Sequence, residues 1–223
     1  MRRKPSLPFL AFLLASLAAC STTDARQAPA SGAAAAPPAA VTVWRFNPNE
    51  EVQVRGGDPL YVETGPHVVV WPAGGPVLSP PYTVRATLQK HTGRVHEGTG
   101  LLFGGSDLDK TEDHQSYSYF LTRGDGSFLI KLRRGAQLPI IQDWTTHPAI
   151  HRDGEDGGRP NELEVRVTPA DVAFLVNGTE VAHYPTSRFM VRGIAGLRVS
   201  HELSLEVTGF QARAGVPAPP ARP

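Results

Sequence analysis

Two histidines, His147 and His151, stand four residues apart, with Trp144 just upstream. On a helix that spacing would suit a metal ion, but Pro148 and the Gly-rich run after it predict a loop. Loop imidazoles and a nearby indole are the ingredients of a sugar platform. The ring face stacks on C–H groups, and the polar groups fix hydroxyls. An acidic stretch, Asp107, Asp109, Glu112 and Asp113, offers oxygen ligands, so calcium is the cofactor it would take. It lacks the glycine and the closing Glu of an EF-hand loop, and a solvated hairpin loop explains the same residues. Glycosidases commonly need two carboxylates about 5 to 10 Å apart. Glu162 and Glu164 share a strand face, and a solvated strand edge accounts for them more simply. The tripeptide Arg123-Gly124-Asp125 is turn chemistry.

The elements that must carry these residues show a period of two. Tyr82, Val84, Ala86 and Leu88 alternate with polar residues, as do Leu163, Val165 and Val167, and Leu203, Leu205 and Val207. That is the pattern of half-buried antiparallel strands. No sustained helical pattern interrupts it, and Gly and Pro are dense. Asn177-Gly178 predicts a tight hairpin joining 171–176 to 179–184. A second turn lies at Arg123-Gly124-Asp125-Gly126. With Gly124-Asp125 as its tip, Thr122 faces Ser127, Phe120 faces Leu129 and Ser118 faces Lys131. Tyr117, Tyr119 and Leu121 then join Phe128, Ile130 and Leu132 on a core face. The opposite face carries Ser116, Ser118, Thr122, Ser127, Lys131 and Arg133, with Phe120 and Leu129 among them. That hydrophilic face, with Lys131 and Arg133, is the expected ligand groove, and the Trp144–His151 loop forms its rim.

The N-terminus speaks of address. Arg2, Arg3 and Lys4 precede a short apolar run from Leu7 to Leu17, which closes on Leu17-Ala18-Ala19-Cys20. A cationic start, a short apolar core and small residues before a cut mark a secretory signal. The last four residues resemble the bacterial lipobox, whose Cys is acylated. The resemblance implies a signal peptide over 1–19, lipidation at Cys20 and a lipid bilayer as partner. In the enterobacterial lipoproteins that this N-terminus resembles, Asp in the next position retains the protein at the inner membrane, so the resemblance implies through Ser21 the outer membrane, facing the periplasm or the cell surface. Residues 20–40 are rich in Ser, Thr, Ala and Pro, which predicts a disordered tether. The Pro-rich residues 214–223 read as a disordered tail. Between them, 41–213 make one domain of roughly 170 residues, ample for a single core. Cys20 is the sole cysteine, so the domain carries no disulfide and no cysteine zinc site. A net charge of +1 supplies no basic field for nucleic acid.

The order Gly98-Thr-Gly-Leu-Leu-Phe-Gly104, Tyr117-Ser-Tyr-Phe-Leu121, Asn161-Glu-Leu-Glu-Val165, Val176-Asn-Gly178 and Gly193-Ile-Ala-Gly-Leu197 resembles a known family. It is similar to the concanavalin A-like, laminin G-like jelly roll of bacterial secreted proteins, including the 3-keto-disaccharide hydrolase-like branch. The resemblance implies an all-β antiparallel sandwich and a sugar-related role. Gly98-Thr99-Gly100 departs from that branch's Asn-Ser-Gly strand, and its Glu-x-Gln-x-x-Asp pattern is missing, so no catalytic residue carries over. The leading expectation is glycan or polysaccharide binding at the cell envelope. A glycoside hydrolase and an adhesion module are the alternatives.

Overall fold

Each alternating stretch lies within a strand, and further strands flank them. In the computed structural model, which describes residues 43–47, 51–154 and 157–215, the strands are β1 (Trp44–Phe46), β2 (Gln53–Gly56), β3 (Leu60–Thr64), β4 (Val68–Pro72), β5 (Tyr82–Thr92), β6 (Gly98–Ser106) and β7 (Ser116–Arg123). The second half adds β8 (Ser127–Arg134), β9 (Ile140–Thr146), β10 (Asn161–Val167), β11 (Asp171–Val176), β12 (Thr179–Pro185), β13 (Ile194–Val199) and β14 (Leu203–Ala214). One 3₁₀ turn, Thr186–Arg188, precedes β13. Ala40–Pro223 form one unit, while residues 1–39, and with them Cys20, lie outside the described residues.

Two antiparallel sheets of seven strands make the sandwich. Sheet A runs β1-β4-β13-β6-β7-β8-β9, and sheet B runs β12-β11-β10-β5-β14-β3-β2. The inward residues of β5, β10 and β14 are those the alternation marks, and they are buried. From sheet A come Leu101, Phe103, Phe120, Phe128, Ile130 and Leu132. Phe174 lies at the centre, 5.2 Å from the Phe120 ring and 6.0 Å from the Phe103 ring, in the tilted and edge-on contacts that aromatic quadrupoles favour. The Asn177-Gly178 hairpin forms as expected, with Val176 opposite Thr179 and both turn residues at positive φ, 50° and 78°.

The second hairpin differs from expectation by one residue. Its loop is Gly124-Asp125-Gly126, so Arg123 pairs with Ser127, Phe120 with Ile130, Tyr119 with Lys131 and Tyr117 with Arg133. Gly126 takes the left-handed position, φ 81°, that a three-residue hairpin requires. Asp125 holds the turn by accepting Ser127 N–H at 3.0 Å and Arg123 Nε–H at 2.8 Å. Side chains alternate with period two, so the slip reverses the faces of one strand relative to the other. Tyr117, Tyr119 and Leu121 do not enter the inter-sheet core. They lie with Leu129, Lys131 and Arg133 on the outer face of sheet A. There Tyr117, Tyr119, Leu121 and Leu129 form a second buried cluster with Val69, Trp71, Leu102 and Leu108. Ser118 and Thr122, expected beside Lys131 and Arg133, are on the core side with Phe120 and Phe128, while Ser127 keeps the outer face. Sheet A is therefore apolar on both faces, while sheet B keeps one polar face.

The Glu162–Glu164 strand is not an edge either. It is β10, the third strand of sheet B, and Glu164 is buried against Arg166 Nε at 2.6 Å. The last strand also reaches one residue into the expected tail, ending at Ala214.

Candidate functional site

Arg133 is committed to the structure itself. Its Nε donates to Tyr117 Oη at 3.2 Å, its Nη1 to the carbonyls of Glu112 and Gly135 at 3.3 Å each, and its Nη2 lies 2.9 Å from the Glu112 carboxylate. The group is buried, and nearly every donor is taken, so it does not serve as the free ligand contact that its sequence position suggested. Lys131 stands half-buried opposite Tyr119 on the same face. Burial pushes the Tyr119 phenol up to about 12, against the opposing pull of the Arg198 cation.

Glu112 also meets His67 Nε2, and His67 Nδ1 lies 3.1 Å from His201 Nε2. His201 in turn approaches Glu97 at 3.5 Å. Burial, followed by the nearby Arg198 charge, holds His67 below its ordinary value of 6.5, while Glu112 works the other way. These residues come from four separate loops. No local sequence pattern announces them, because His67 and His201 are 134 positions apart.

Trp144 leaves the edge strand β9 onto the outer face of sheet A. Gly98 makes room for its ring, since a Cβ there would sit 3.0 Å from Trp144 Cη2. The Arg123 guanidinium lies 4.2 Å above the ring centroid. One face of the expected stacking platform is thus occupied by a cation.

His147 and His151 do come together. Both line one surface depression of about 520 Å³, with Arg152 and Arg159. Their partners set their tautomers. His147 Nδ1 accepts the amide of Ala149 at 3.2 Å, which leaves the proton of the neutral ring on Nε2. His151 Nδ1 lies 2.8 Å from the Pro160 carbonyl, an acceptor only, so it carries the proton and leaves Nε2 as the acceptor. The loop is fixed from below. His151 N–H donates to Asn161 Oδ1 at 2.8 Å, and Asn177 Nδ2 donates to the same oxygen at 2.9 Å and to the Ala149 carbonyl at 2.8 Å. The Asn177-Gly178 hairpin is therefore what holds the histidine loop. Trp144, Lys131 and Arg133 are not part of this depression.

The acidic loop does not assemble a metal site. Asp107 pairs with Lys110 at 2.8 Å, and Asp113 is bonded by Thr111 at 2.5 Å and by His114 at 3.1 Å. The Lys110 contact holds the Asp107 carboxyl low, and the Thr111 bond does the same for Asp113. Asp109 points instead into a separate depression beside His67 and Lys110. Among the described residues no three His, Cys, Asp or Glu side chains form a group that could hold a metal ion. Asp107, Glu112 and Asp113 are each held by a neighbouring side chain.

No family model and no curated protein matches the chain. Solved structures do. One is the carbohydrate-binding module CBM66 from Bacillus subtilis, 11% identical, with a TM-score of 0.60 over 78% of this chain and 97% of that one. Another is a protein of unknown function with a galectin-like fold from Bacillus subtilis, 14% identical, TM-score 0.57, covering 77% of this chain and 90% of that one. A third is the metal-free carbohydrate recognition domain of Emp46p, 13% identical, TM-score 0.58, covering 78% and 88%. At such identities the likeness concerns the fold, and it shows a jelly-roll sandwich of the galectin and concanavalin A-like kind.

Proposed function

We propose that this protein binds a glycan, and that the His147–His151 depression is where it does so. The observation that carries the reading is the complementary pair of imidazoles. One Nε2 donates and the other accepts, which is what a sugar hydroxyl needs from its surroundings. Arg152 and Arg159 add donors at the rim. The loop is tied to a rigid sheet, so little ordering entropy is lost on binding. The carbohydrate-binding module and recognition domain among the structural neighbours support the same class of ligand.

The address completes the reading. Lipidation at Cys20 would hold the domain at the cell envelope, at the outer membrane, in the manner of the secreted jelly-roll lipoproteins that the sequence resembles. Three acyl chains anchor stably where one binds marginally.

The test is a glycan array probed with the full chain and with His147→Ala and His151→Ala. Each substitution removes one hydrogen bond and is expected to weaken binding about three- to tenfold. A chain that binds no glycan on the array, or variants that bind as the parent does, would overturn the proposal.

A further inference from the structure

The polar face of sheet B holds a groove apart from the histidine depression. Three adjacent strands, β10, β5 and β14, align two cross-strand rows there. Glu164, Arg85 and Gln211 form one row, and Arg166, Thr83 and Arg213 form the next. These six residues line a groove of about 420 Å³. The groove exists because β14 is bulged between Thr208 and Gln211 and runs past its partner β3, whose pairing ends at Val207. Bulges re-aim side chains and end pairing in this way.

The charges in the groove do not balance. Three guanidinium groups face one carboxylate. Glu164 Oε1 takes Arg166 Nε at 2.6 Å. Among the described residues Arg85 Nη2 has only a neutral partner, Gln211 Oε1, at 3.3 Å. Arg213 makes no bond to another described residue. Like charges held on neighbouring strands repel, and an anion between them would relieve that repulsion. A guanidinium fork matches a planar carboxylate in bidentate geometry.

The floor of the groove narrows the choice of anion. Glu164 Oε2 takes no donor from another described residue, and a carboxylate in the floor requires a donor opposite it. A sulfate or phosphate brings acceptors alone and adds repulsion against Glu164. A sugar acid brings both parts, a carboxylate for Arg85 and Arg213 and hydroxyls for Glu164 and Gln211. We infer that this groove binds the uronic-acid units of an acidic polysaccharide. The inference uses other residues than the His147–His151 depression, and either site can fail without the other.

The test is calorimetric titration of the full chain with oligogalacturonate and oligoalginate, with a neutral oligogalactoside and a sulfated oligogalactoside as comparisons. At least one of the two uronates should bind, and about tenfold or more tighter than either comparison, with affinity falling as salt rises. Arg213→Gln, an exposed residue with no bond to break, and Arg85→Gln should each weaken uronate binding about fivefold or more. Any of four outcomes overturns the inference: no binding of either uronate, equal binding of the neutral oligomer, tighter binding of the sulfated one, or arginine variants that bind the uronates as the parent does.

Discussion

Tyr82 is fully buried at the inner face of β5, and its hydroxyl finds no hydrogen-bond partner among the described residues. A buried phenol without a partner bears its desolvation without return. Tyr82→Phe should therefore leave stability unchanged or raise it by about 1 kcal/mol, read from urea unfolding. Burial raises the pKa of this phenol, and that of Tyr119 to about 12, above the ordinary 10.0. The folded state keeps both protons after the unfolded chain has begun to release them. Stability is then fully present below pH 10 and is lost as pH rises above it, and Tyr82→Phe should make that loss shallower. At acid pH the sign comes from His67, whose pKa is lowered from 6.5 chiefly by burial. The unfolded chain takes up this proton first, so stability holds above pH 6.5 and falls as pH drops below it. A His67→Gln chain whose stability falls just as steeply between pH 7 and 5 would show that another group is responsible.

At the scale of elements, the two hairpins carry opposite lessons. Asn177-Gly178 is legible because both residues tolerate positive φ and the flanking strands leave only one register. The structure gives Asn177 a second task, since its amide bonds the Ala149 carbonyl and Asn161 Oδ1 and its oxygen takes the Glu162 amide at 2.9 Å. Asn177→Ala loses those bonds and keeps a left-handed φ of 50°, so it should cost about 3 kcal/mol. The same change should weaken glycan binding through the His147–His151 loop, measurable on the array with folded variant. The 123–127 hairpin was not legible, because Gly124, Asp125 and Gly126 allow a two-residue or a three-residue loop. Nothing local chooses between them. The choice falls to the packing of Phe120, Phe128 and Ile130 against Phe174 and the strands of sheet B, and it carries Tyr117, Arg133 and Lys131 to the other side of the sheet. The aromatic pair and the basic pair, expected on opposite faces, thus share one.

At the scale of the molecule, the inter-sheet core and the second cluster on sheet A hold the domain together without a disulfide, so its stability rests on packed apolar side chains. A chain with Cys20→Ala should fold and leave the membrane fraction for the soluble one on ultracentrifugation. Its persistence with membranes would refute the lipid anchor. The sequence by itself determined the fold class, the faces of β5, β10 and β14, and the hairpin at Asn177, because alternation and turn propensity are local and each residue reports its own preference. It also brought His147 and His151 into view, since they are neighbours along the chain. Only the tertiary structure decided that Arg133 is spent on Tyr117 and Glu112, and that Arg85, Arg166 and Arg213 share a groove. Those groupings join residues far apart in sequence. They depend on which strands lie side by side and in what register, and that is settled by the burial of the whole core.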